Sequence, residues 1–449
     1  MQRGVGKYNP CSIDNNDVCR DGSRFNFAAM QKFILYTLGY AGIALFTQVV
    51  TMWAMYFYAP PVDAGRVAYV PVATFGLILG IGRVMDAFTD PLVANWSDNF
   101  RSRWGRRIPF IAVGGIPLSI SFILLWRPPV EGYAALNSIY FLLVISVFFF
   151  CMTMVTCPFL ALLPEIAGPG ERITASTLLG SAYVLGLITG TAGSSFLINK
   201  YSFALMGMVL GLMGLLSLYM PVLFVREKRD GQRERFDLKK SLRVVLKNKT
   251  FLPFIGAQVF FWFAFNIVLI GLPYIVTIRM SLPEAQTGLA LSLALIVTLL
   301  SFPMVSYVAK IKGKRWTFIF VMLCSFAVLV GLATLGYWPG NISLAIQSLI
   351  VITLAGIPLA GLFILPNALI ADISDYDTKQ TGEYREAMYY AFYGMVMKAT
   401  IGISSFCLGL LLNAFGYSSV NPLGIYLIAP LAAVSIFAGL LVFSKYPLP

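Results

Sequence analysis

Histidine is absent from this 449-residue sequence, and charged residues make up only 12% of it, about half their usual share in soluble domains. Without histidine the chain has no Ser-His-Asp or Cys-His catalytic group, no HExxH metalloprotease motif and no histidine proton relay. The sequence also lacks a GxxxxGK[ST] loop, which argues against ATP hydrolysis. We therefore expect a protein that is not an enzyme and holds no cofactor.

Cysteine is scarce, and no CxxC pair occurs among the six cysteines. Four of them lie within apolar runs, which predicts small buried side chains. These are Cys151, Cys157, Cys324 and Cys407. Cys11 and Cys19 flank a polar N-terminal stretch, where a disulfide would be unexpected if that stretch is cytosolic.

Apolar residues are abundant at 58%, and the mean hydropathy is +0.78, which excludes a soluble enzyme and a disordered chain. After 32 polar residues the sequence contains twelve apolar stretches long enough to cross a bilayer as helices. They cover 33–57, 67–96, 108–126, 139–163, 174–198, 203–225, 250–276, 287–309, 316–336, 344–370, 387–412 and 422–443. The predicted fold is an all-α integral membrane protein of twelve transmembrane helices.

Lysine and arginine indicate the orientation of these helices. With the N-terminus inside, the inner segments hold 27 basic residues and the outer loops hold 4. The positive-inside rule therefore predicts a multi-pass protein of the cell membrane with both termini cytoplasmic. The net charge of +13 is explained by this topology and by attraction to anionic lipid, so no nucleic-acid partner is expected.

The chain divides into two halves of six predicted helices. The basic loop Arg101–Arg107 of the first half has a counterpart in Lys310–Arg315 of the second. Two such pseudo-repeats around a central path are typical of a major-facilitator-type transporter. The predicted units are a cytosolic N-terminal segment (1–32), an N-terminal bundle (33–225), a basic cytosolic linker (226–249) and a C-terminal bundle (250–449).

Four charged side chains fall within the predicted helices, and their formal charges sum to zero. They are Arg83, Asp86, Asp90 and Lys398. Asp86 and Asp90 are four residues apart and share a helix face with Arg83, while Thr89 adds a hydroxyl. Hard oxygen ligands of this kind suit a monovalent cation. The alternative is a structural salt-bridge cluster.

Lys398 stands alone in the eleventh predicted helix. One interpretation places its ammonium against Asp86 and Asp90 across the boundary of the two halves. The other is a lysine that extends to the cytosolic surface of the membrane.

Three stretches resemble the glycoside–pentoside–hexuronide:cation symporters of the major facilitator superfamily. They are Arg83–Pro91 followed by Arg101–Gly105, then Cys157–Pro164, and Asp372–Tyr376 followed by Lys398. The resemblance implies a sodium site, with lithium or a proton as alternatives, formed by Asp86, Thr89, Asp90 and Thr153. It also implies a functional role for Lys398.

The sugar-binding positions of this family are changed here. Its sugar-binding carboxylates fall at Ala44 and Thr156, its stacking tryptophan at Leu160 and its arginine at Ser181. The resemblance therefore implies a smaller and more apolar substrate pocket. The candidate residues for substrate or coupling are Lys398, Arg83, Thr156, Gln48 and Tyr393; the last two have packing roles as the alternative.

A cytosolic gate is predicted where the loop between the second and third helices faces the second half. Its residues are Asp98, Arg101, Gly105, Arg106 and Arg107 on one side, and Asp372, Asp375, Glu383 and Glu386 on the other. We expect these charges to close the cytosolic end in the outward-facing state. The alternative for the arginines is membrane orientation alone.

Together these features predict a monomeric secondary transporter in a lipid bilayer, which couples sodium or proton symport to a small organic solute by alternating access. A sugar or glycoside is the first candidate for the solute. The wider family also includes lysophospholipid:sodium symporters, so a lysophospholipid or other amphiphile is the alternative. A membrane receptor that does not transport is a remote alternative, because it leaves the two pseudo-repeats unexplained.

Overall fold

The computed structural model describes residues 27–100, 102–166, 172–225, 248–338, 342–381 and 386–447. Within these ranges the chain forms α-helices and no β-strand, so the predicted fold class is confirmed. The helices are α1 (Phe27–Tyr58), α2 (Val72–Asn99), α3 (Ile108–Leu124), α4 (Ala135–Ile166), α5 (Arg172–Lys200), α6 (Phe203–Phe224), α7 (Phe251–Tyr274), α8 (Glu284–Lys312), α9 (Lys314–Ala333), α10 (Leu344–Leu354), α11 (Gly356–Thr381), α12 (Glu386–Phe415) and α13 (Leu423–Phe443).

Each predicted membrane span corresponds to a helix of the described residues. Eleven helical segments are long and apolar enough to cross a membrane, with α10 and α11 together forming one of them, and α3 is a shorter apolar helix of 17 residues. The break between α10 and α11 follows from Pro358, which cannot donate to the carbonyl of Leu354. The predicted terminal segment and linker lie mostly outside the described residues, at 1–26 and 226–247.

Arg279 departs from the prediction, which placed it in a loop. The helical path continues beyond α7 through a π-helical segment, Ile275–Arg279, and buries the guanidinium. Its Nη2 atom donates to the carbonyl oxygen of Ala333 at 2.7 Å, at the C-terminal end of α9. Tyr426 lies against the other side, 4.6 Å from the guanidinium carbon to the ring centroid. Carbonyl acceptors and a ring thus let a cation remain at the end of a membrane helix.

The halves α1–α6 and α7–α13 contact each other mainly through α2 with α12 and α5 with α8, and to a smaller extent through α1 with α7. Glycines make the first pair close: a Cβ added at Gly80 would lie 3.1 Å from the carbonyl oxygen of Gly402, and one at Gly76 would lie 2.8 Å from that of Ser405. Small residues allow helices in lipid to approach in this way. The charged residues of α2 and α12 are consequently brought face to face.

We name the two ends of the bundle by their residues. The basic face carries the loop before α3 and the junction of α8 and α9, with Arg103, Arg106, Arg107, Lys312 and Lys314. The closed face carries the α1–α2 loop, the start of α8 and the α12–α13 loop. Both described chain ends, at the start of α1 and the end of α13, lie at the basic face because the spans alternate in direction.

Candidate functional site

Two carboxylates of α2 and one ammonium of α12 meet at the boundary between the halves. The Nζ atom of Lys398 lies 3.0 Å from Asp86 Oδ1 and 2.6 Å from Asp90 Oδ1. The Thr153 hydroxyl of α4 lies 2.5 Å from the first of these oxygens and 3.0 Å from the second. Lys398 therefore contacts the carboxylates across the boundary instead of extending to the membrane surface.

The cluster has a buried side and an accessible side. The side chain of Asp86 is 1% exposed, whereas those of Asp90 and Lys398 are each 26% exposed. Around the buried side, water cannot replace a lost partner, so the ammonium and the Thr153 hydroxyl are strong interactions there. Asp90 and Lys398 are therefore the accessible members of the cluster, and Asp86 is the enclosed one.

The local sequence explains how α2 presents these groups. Asp86 and Asp90 are one turn apart and point to the same side of the helix. Pro91 follows directly and cannot donate to the carbonyl of Ala87, so the hydrogen-bond ladder is interrupted beside the site. A charged pair next to an interrupted ladder is typical of ion sites in membrane transporters.

Thr89 and Cys157 are placed differently from the expectation. The Thr89 hydroxyl donates to the backbone carbonyl of Asp86 at 2.9 Å, whereas Thr153 binds the carboxylates themselves. Cys157 was predicted to be a small buried side chain, but it is half-buried, and its Sγ atom donates to Asp90 Oδ1 at 3.4 Å. The signal that could have identified Cys157 is its position one helical turn after Thr153.

Arg83 is buried but loosely partnered. Its Nη1 atom lies 3.7 Å from Asp86 Oδ2, and Nη2 donates to Thr51 Oγ1 over 3.4 Å. Its Nε atom has no hydrogen-bond partner among the described residues. The guanidinium carbon lies 4.3 Å from the ring centroid of Phe149. The guanidinium is therefore stabilised by one carboxylate, that of Asp86, and by a cation–π contact with this ring. Sequence reasoning identified Arg83 but missed Thr51 and Phe149.

Polar groups without partners lie near the middle of α1, in α4 and in α7. The Gln48 Nε2 atom, the Thr156 hydroxyl and both amide atoms of Gln258 have no hydrogen-bond partner among the described residues. Tyr393 of α12 accepts a hydrogen bond from Trp262 Nε1 at 3.1 Å. Since α1 and α4 are in one half and α7 and α12 in the other, these groups lie on both sides of the boundary. Gln258 and Trp262 were not predicted.

The positions at which the sugar-binding side chains of the resembled family fall do not form a charged pocket. Ala44 is fully buried against α5, where a Cβ at Gly186 would lie 2.8 Å from its Cβ. Leu160 is 40% exposed, and Ser181 is half-buried. The close approach of α1 and α5 thus occupies the space that a carboxylate would need at position 44.

The predicted gate residues are only partly described. Arg101 and Glu383 lie outside the described residues, as do the side chains of Asp98 and Glu386. Arg107 donates to the carbonyl of Ala161 in its own half, and Asp372 pairs with Lys314 at 2.6 Å in the other half. Gly105 has φ of 108°, which only glycine adopts readily, while Arg106 is half-buried and Asp375 is exposed. The gate therefore stays a prediction.

Interactions at the closed face do join the halves, and sequence reasoning did not find them. Arg66 makes a bidentate ion pair with Glu284, in which Nε donates to Oε1 at 3.0 Å and Nη2 donates to Oε2 at 2.9 Å. Tyr56 donates to the same carboxylate at 3.1 Å. Asp63 accepts hydrogen bonds from the hydroxyl and the backbone N–H of Ser419, and these hold the pKa of its carboxyl below the ordinary value.

Similarity to known transporters extends along nearly the whole chain. A family profile described as "MFS/sugar transport protein" matches residues 35–449. The sodium-dependent lysophosphatidylcholine symporter 1 of Xenopus tropicalis is 25% identical, over 85% of this chain and 81% of that protein. The isoprimeverose transporter of Lactiplantibacillus pentosus is 24% identical, over 85% and 80%. The crystal structure of the nucleoside transporter NupG has a TM-score of 0.67 at 13% identity and covers 92% of this chain and 98% of its own.

Proposed function

The chain belongs to the MFS/sugar transport protein family, and from that premise we propose that it is a sodium-coupled symporter of a small organic solute, a sugar or glycoside. It is a multi-pass membrane transporter of the major facilitator fold, and its family is one of carriers and not of enzymes. This agrees with its resemblance to the glycoside–pentoside–hexuronide:cation symporters. The substrate, the coupling ion and the orientation of the termini belong to the proposal.

The contact of Lys398 with Asp86 and Asp90 is the observation that carries the proposal. A sodium ion prefers oxygen ligands, and these carboxylates with the Thr153 hydroxyl supply them within one cluster. Sodium and the ammonium compete for the same oxygens, so sodium binding releases Lys398 from α2. Because the lysine is in the other half, this exchange alters a bond between the halves, which is the differential interaction that alternating access requires.

The direction of opening follows from the two faces. Ion pairs and hydrogen bonds join the halves at the closed face, while Asp90 and Lys398 keep partial exposure. With the basic face in the cytosol, as the positive-inside rule requires, this arrangement corresponds to an inward-facing state. We therefore propose that both termini are cytoplasmic and that the protein resides in the cell membrane.

Polar groups on both sides of the boundary between the halves support a hydroxyl-rich solute. The Gln48 Nε2 atom, both amide atoms of Gln258 and the Thr156 hydroxyl are donors and acceptors without partners among the described residues. The half-buried rings of Trp262 and Tyr393 supply apolar faces with polar edges. Rings with a few convergent polar groups are a usual composition of small-molecule sites.

Reconstituted proteoliposomes test the proposal. Uptake of radiolabelled sugars and glycosides should rise with an inward sodium gradient, and Asp86→Asn or Asp90→Asn should abolish the stimulation with near-normal expression. Each substitution removes one negative charge from a site that must bind a cation. Wild-type sodium stimulation in both variants would refute the cation site. A potassium or lithium gradient of equal size is the control for ion identity.

A sodium-coupled amphiphile transporter is the second candidate, and one cavity favours it. The cavity lies inside the C-terminal half and is lined by apolar side chains of α7–α11 and α13, including Phe265, Leu291, Leu329 and Leu359. Ser325 is the single polar residue of its lining, and its hydroxyl donates to the Val321 carbonyl. An alkyl chain fits this lining and a sugar does not. Sodium-dependent thermal stabilisation by lysolipids but not by sugars would establish this candidate.

A further inference from the structure

A second buried cation lies at the closed face, away from the central cluster. Arg279, at the end of the π-helical segment after α7, is only 6% exposed. Among the described residues its guanidinium makes no ion pair with a carboxylate, whereas Arg66 at the same face pairs with Glu284. A charge at the end of a membrane helix is costly when no opposite charge lies beside it. The charge of Arg279 thus calls for an anion that the described residues do not supply.

The contacts of the guanidinium leave one of its amino groups available. Its Nη2 atom donates to the carbonyl oxygens of Ala333 at 2.7 Å and Leu335 at 3.3 Å, and the Tyr426 ring lies against it. Among the described residues, Nε is enclosed without a partner, while Nη1 makes no hydrogen bond and is not enclosed. Because these contacts hold the planar group in place, Nη1 is the atom at which an oxyanion can accept a hydrogen bond.

Tyrosine and tryptophan residues around Arg279 indicate its depth in the membrane. Tyr426 in the first turn of α13 is 40% exposed, and Tyr337 in the loop after α9 is 83% exposed. Trp338 is half-buried, and its Nε1 atom donates to Thr334 Oγ1 at 3.2 Å. Such residues concentrate where the hydrocarbon of a bilayer meets the lipid headgroups. The guanidinium therefore lies near the level of the lipid phosphates.

We propose that Arg279 binds the phosphodiester of a membrane lipid in the leaflet at the closed face, with Nη1 as the donor. The acyl chains then lie along the exposed apolar side of α13, where Val434, Phe437 and Leu441 follow Tyr426 at helical spacing. The segments that form this site, the end of α7, the end of α9 and the start of α13, all belong to the C-terminal half. The lipid is thus a resident ligand and not the transported solute, and the inference is independent of the proposed symport.

Crosslinking to the wild-type protein tests where the lipid binds. Phosphatidylglycerol with a diazirine in its headgroup is added to the purified full chain in detergent, and modified residues are mapped by mass spectrometry. We expect modification around Tyr337 and Tyr426, to the same extent in sodium and in potassium. Unlabelled phosphatidylglycerol should compete, whereas a galactosyl diacylglycerol with the same acyl chains should not, because it lacks the phosphate. Inorganic phosphate at the same concentration should not compete either, because it lacks the acyl chains.

A variant of the arginine assigns this binding to its guanidinium. Arg279→Gln removes the charge and keeps a donor for the carbonyls, and the lipid should bind at these positions about tenfold less tightly. Lys200→Gln is the matched control. It removes an exposed cation at the same face that lies 5.7 and 5.5 Å from the ring centroids of Phe196 and Tyr201, and binding should be unchanged.

Several outcomes would overturn the inference. If Arg279 serves only to cap the α9 carbonyls, Arg279→Gln will lower the melting temperature and leave crosslinking unchanged. Equal competition by the galactolipid would mean that the acyl chains alone bind, and equal competition by inorganic phosphate would mean a site for soluble anions. Wild-type crosslinks confined to other positions would also refute it, and this measurement does not depend on whether Arg279→Gln folds.

Discussion

At the residue scale, the proposed cation site depends on where two threonine hydroxyls point. Both Thr89 and Thr153 follow from the resemblance as cation ligands, yet one hydroxyl binds a backbone carbonyl and the other binds both carboxylates. A threonine on a helix has a carbonyl of the preceding turn within reach. The sequence could therefore suggest both threonines as ligands of the proposed cation, but it could not decide which hydroxyl faces the carboxylates.

This difference gives a prediction for sodium affinity. Thr153→Val removes a hydroxyl from the carboxylates, and we expect sodium affinity to fall about tenfold. Thr89→Val is the matched control, since it loses a hydrogen bond to its own helix, and affinity should change by less than about twofold. Sodium titration followed by thermal shift measures both. Equal losses in the two variants would mean that Thr89 is also a ligand.

The residues missed at this scale share one property. Gln258, Thr51 and Phe149 are uncharged residues within apolar helices, so no charge within the membrane marks them. Asp86, Asp90 and Lys398 could be predicted because an ionised side chain within a membrane helix is costly in free energy, so it usually has a partner or a function there. An amide or an aromatic ring carries no such signal, so only the packing of the helices brings it to the site.

At the scale of helices and loops, the closed face contains the ion pair that holds the halves together in this state. Glu284 at the start of α8 receives Arg66 and Tyr56 from the other half. Arg66 lies in the α1–α2 loop and Tyr56 near the end of α1, both far from Glu284 in the sequence. Their contact depends on how the halves tilt, which hydropathy does not report. Spans and topology could be predicted from the sequence, whereas this interface could not.

Glu284→Gln should shift the protein toward the state that opens at the closed face, because it removes the charge that Arg66 pairs with. The measurement is maleimide labelling of a cysteine at Ala59, which is fully buried here, in a background without native cysteines. We expect labelling to rise severalfold, consistent with an exposed ion pair contributing up to about 1 kcal/mol.

Lys314→Gln is the control for this experiment, since it breaks an ion pair of similar exposure within one half, and labelling should stay unchanged. Equal labelling of Glu284→Gln and wild type would exclude a role for the Arg66–Glu284 ion pair in closure.

The Asp63–Ser419 contact at the same face predicts how labelling depends on pH. Its lowered pKa means that the contact is intact above the ordinary carboxyl value of about 4 and is lost only as pH falls through the lowered value. Labelling at Ala59, divided by that of a fully exposed reference cysteine to correct for the thiolate fraction at each pH, should therefore be constant between about pH 5 and 8.

At the scale of the whole molecule, close helix packing serves two different purposes. Within the N-terminal half, Gly186 of α5 lies directly on Ala41 of α1, and this contact is needed in every state of the carrier. Between the halves, Gly288 of α8 lies directly on Ser195 of α5, and a Cβ there would be 2.6 Å from the carbonyl oxygen of Thr191. That contact is near the closed face and must separate when the face opens.

A methyl group added at each glycine should therefore have different effects. Gly186→Ala should lower the melting temperature by several degrees, as overpacking by about 1–3 kcal/mol does, without a change in labelling at Ala59. Gly288→Ala should penalise only the state in which α5 and α8 touch, so labelling at Ala59 should rise while the fold persists. Gly180→Ala, where an added Cβ meets nothing, should match the wild type in both measurements. If Gly288→Ala lowered the melting temperature as Gly186→Ala does and left labelling unchanged, then α5 and α8 would be a fixed contact, and the halves would move about another axis.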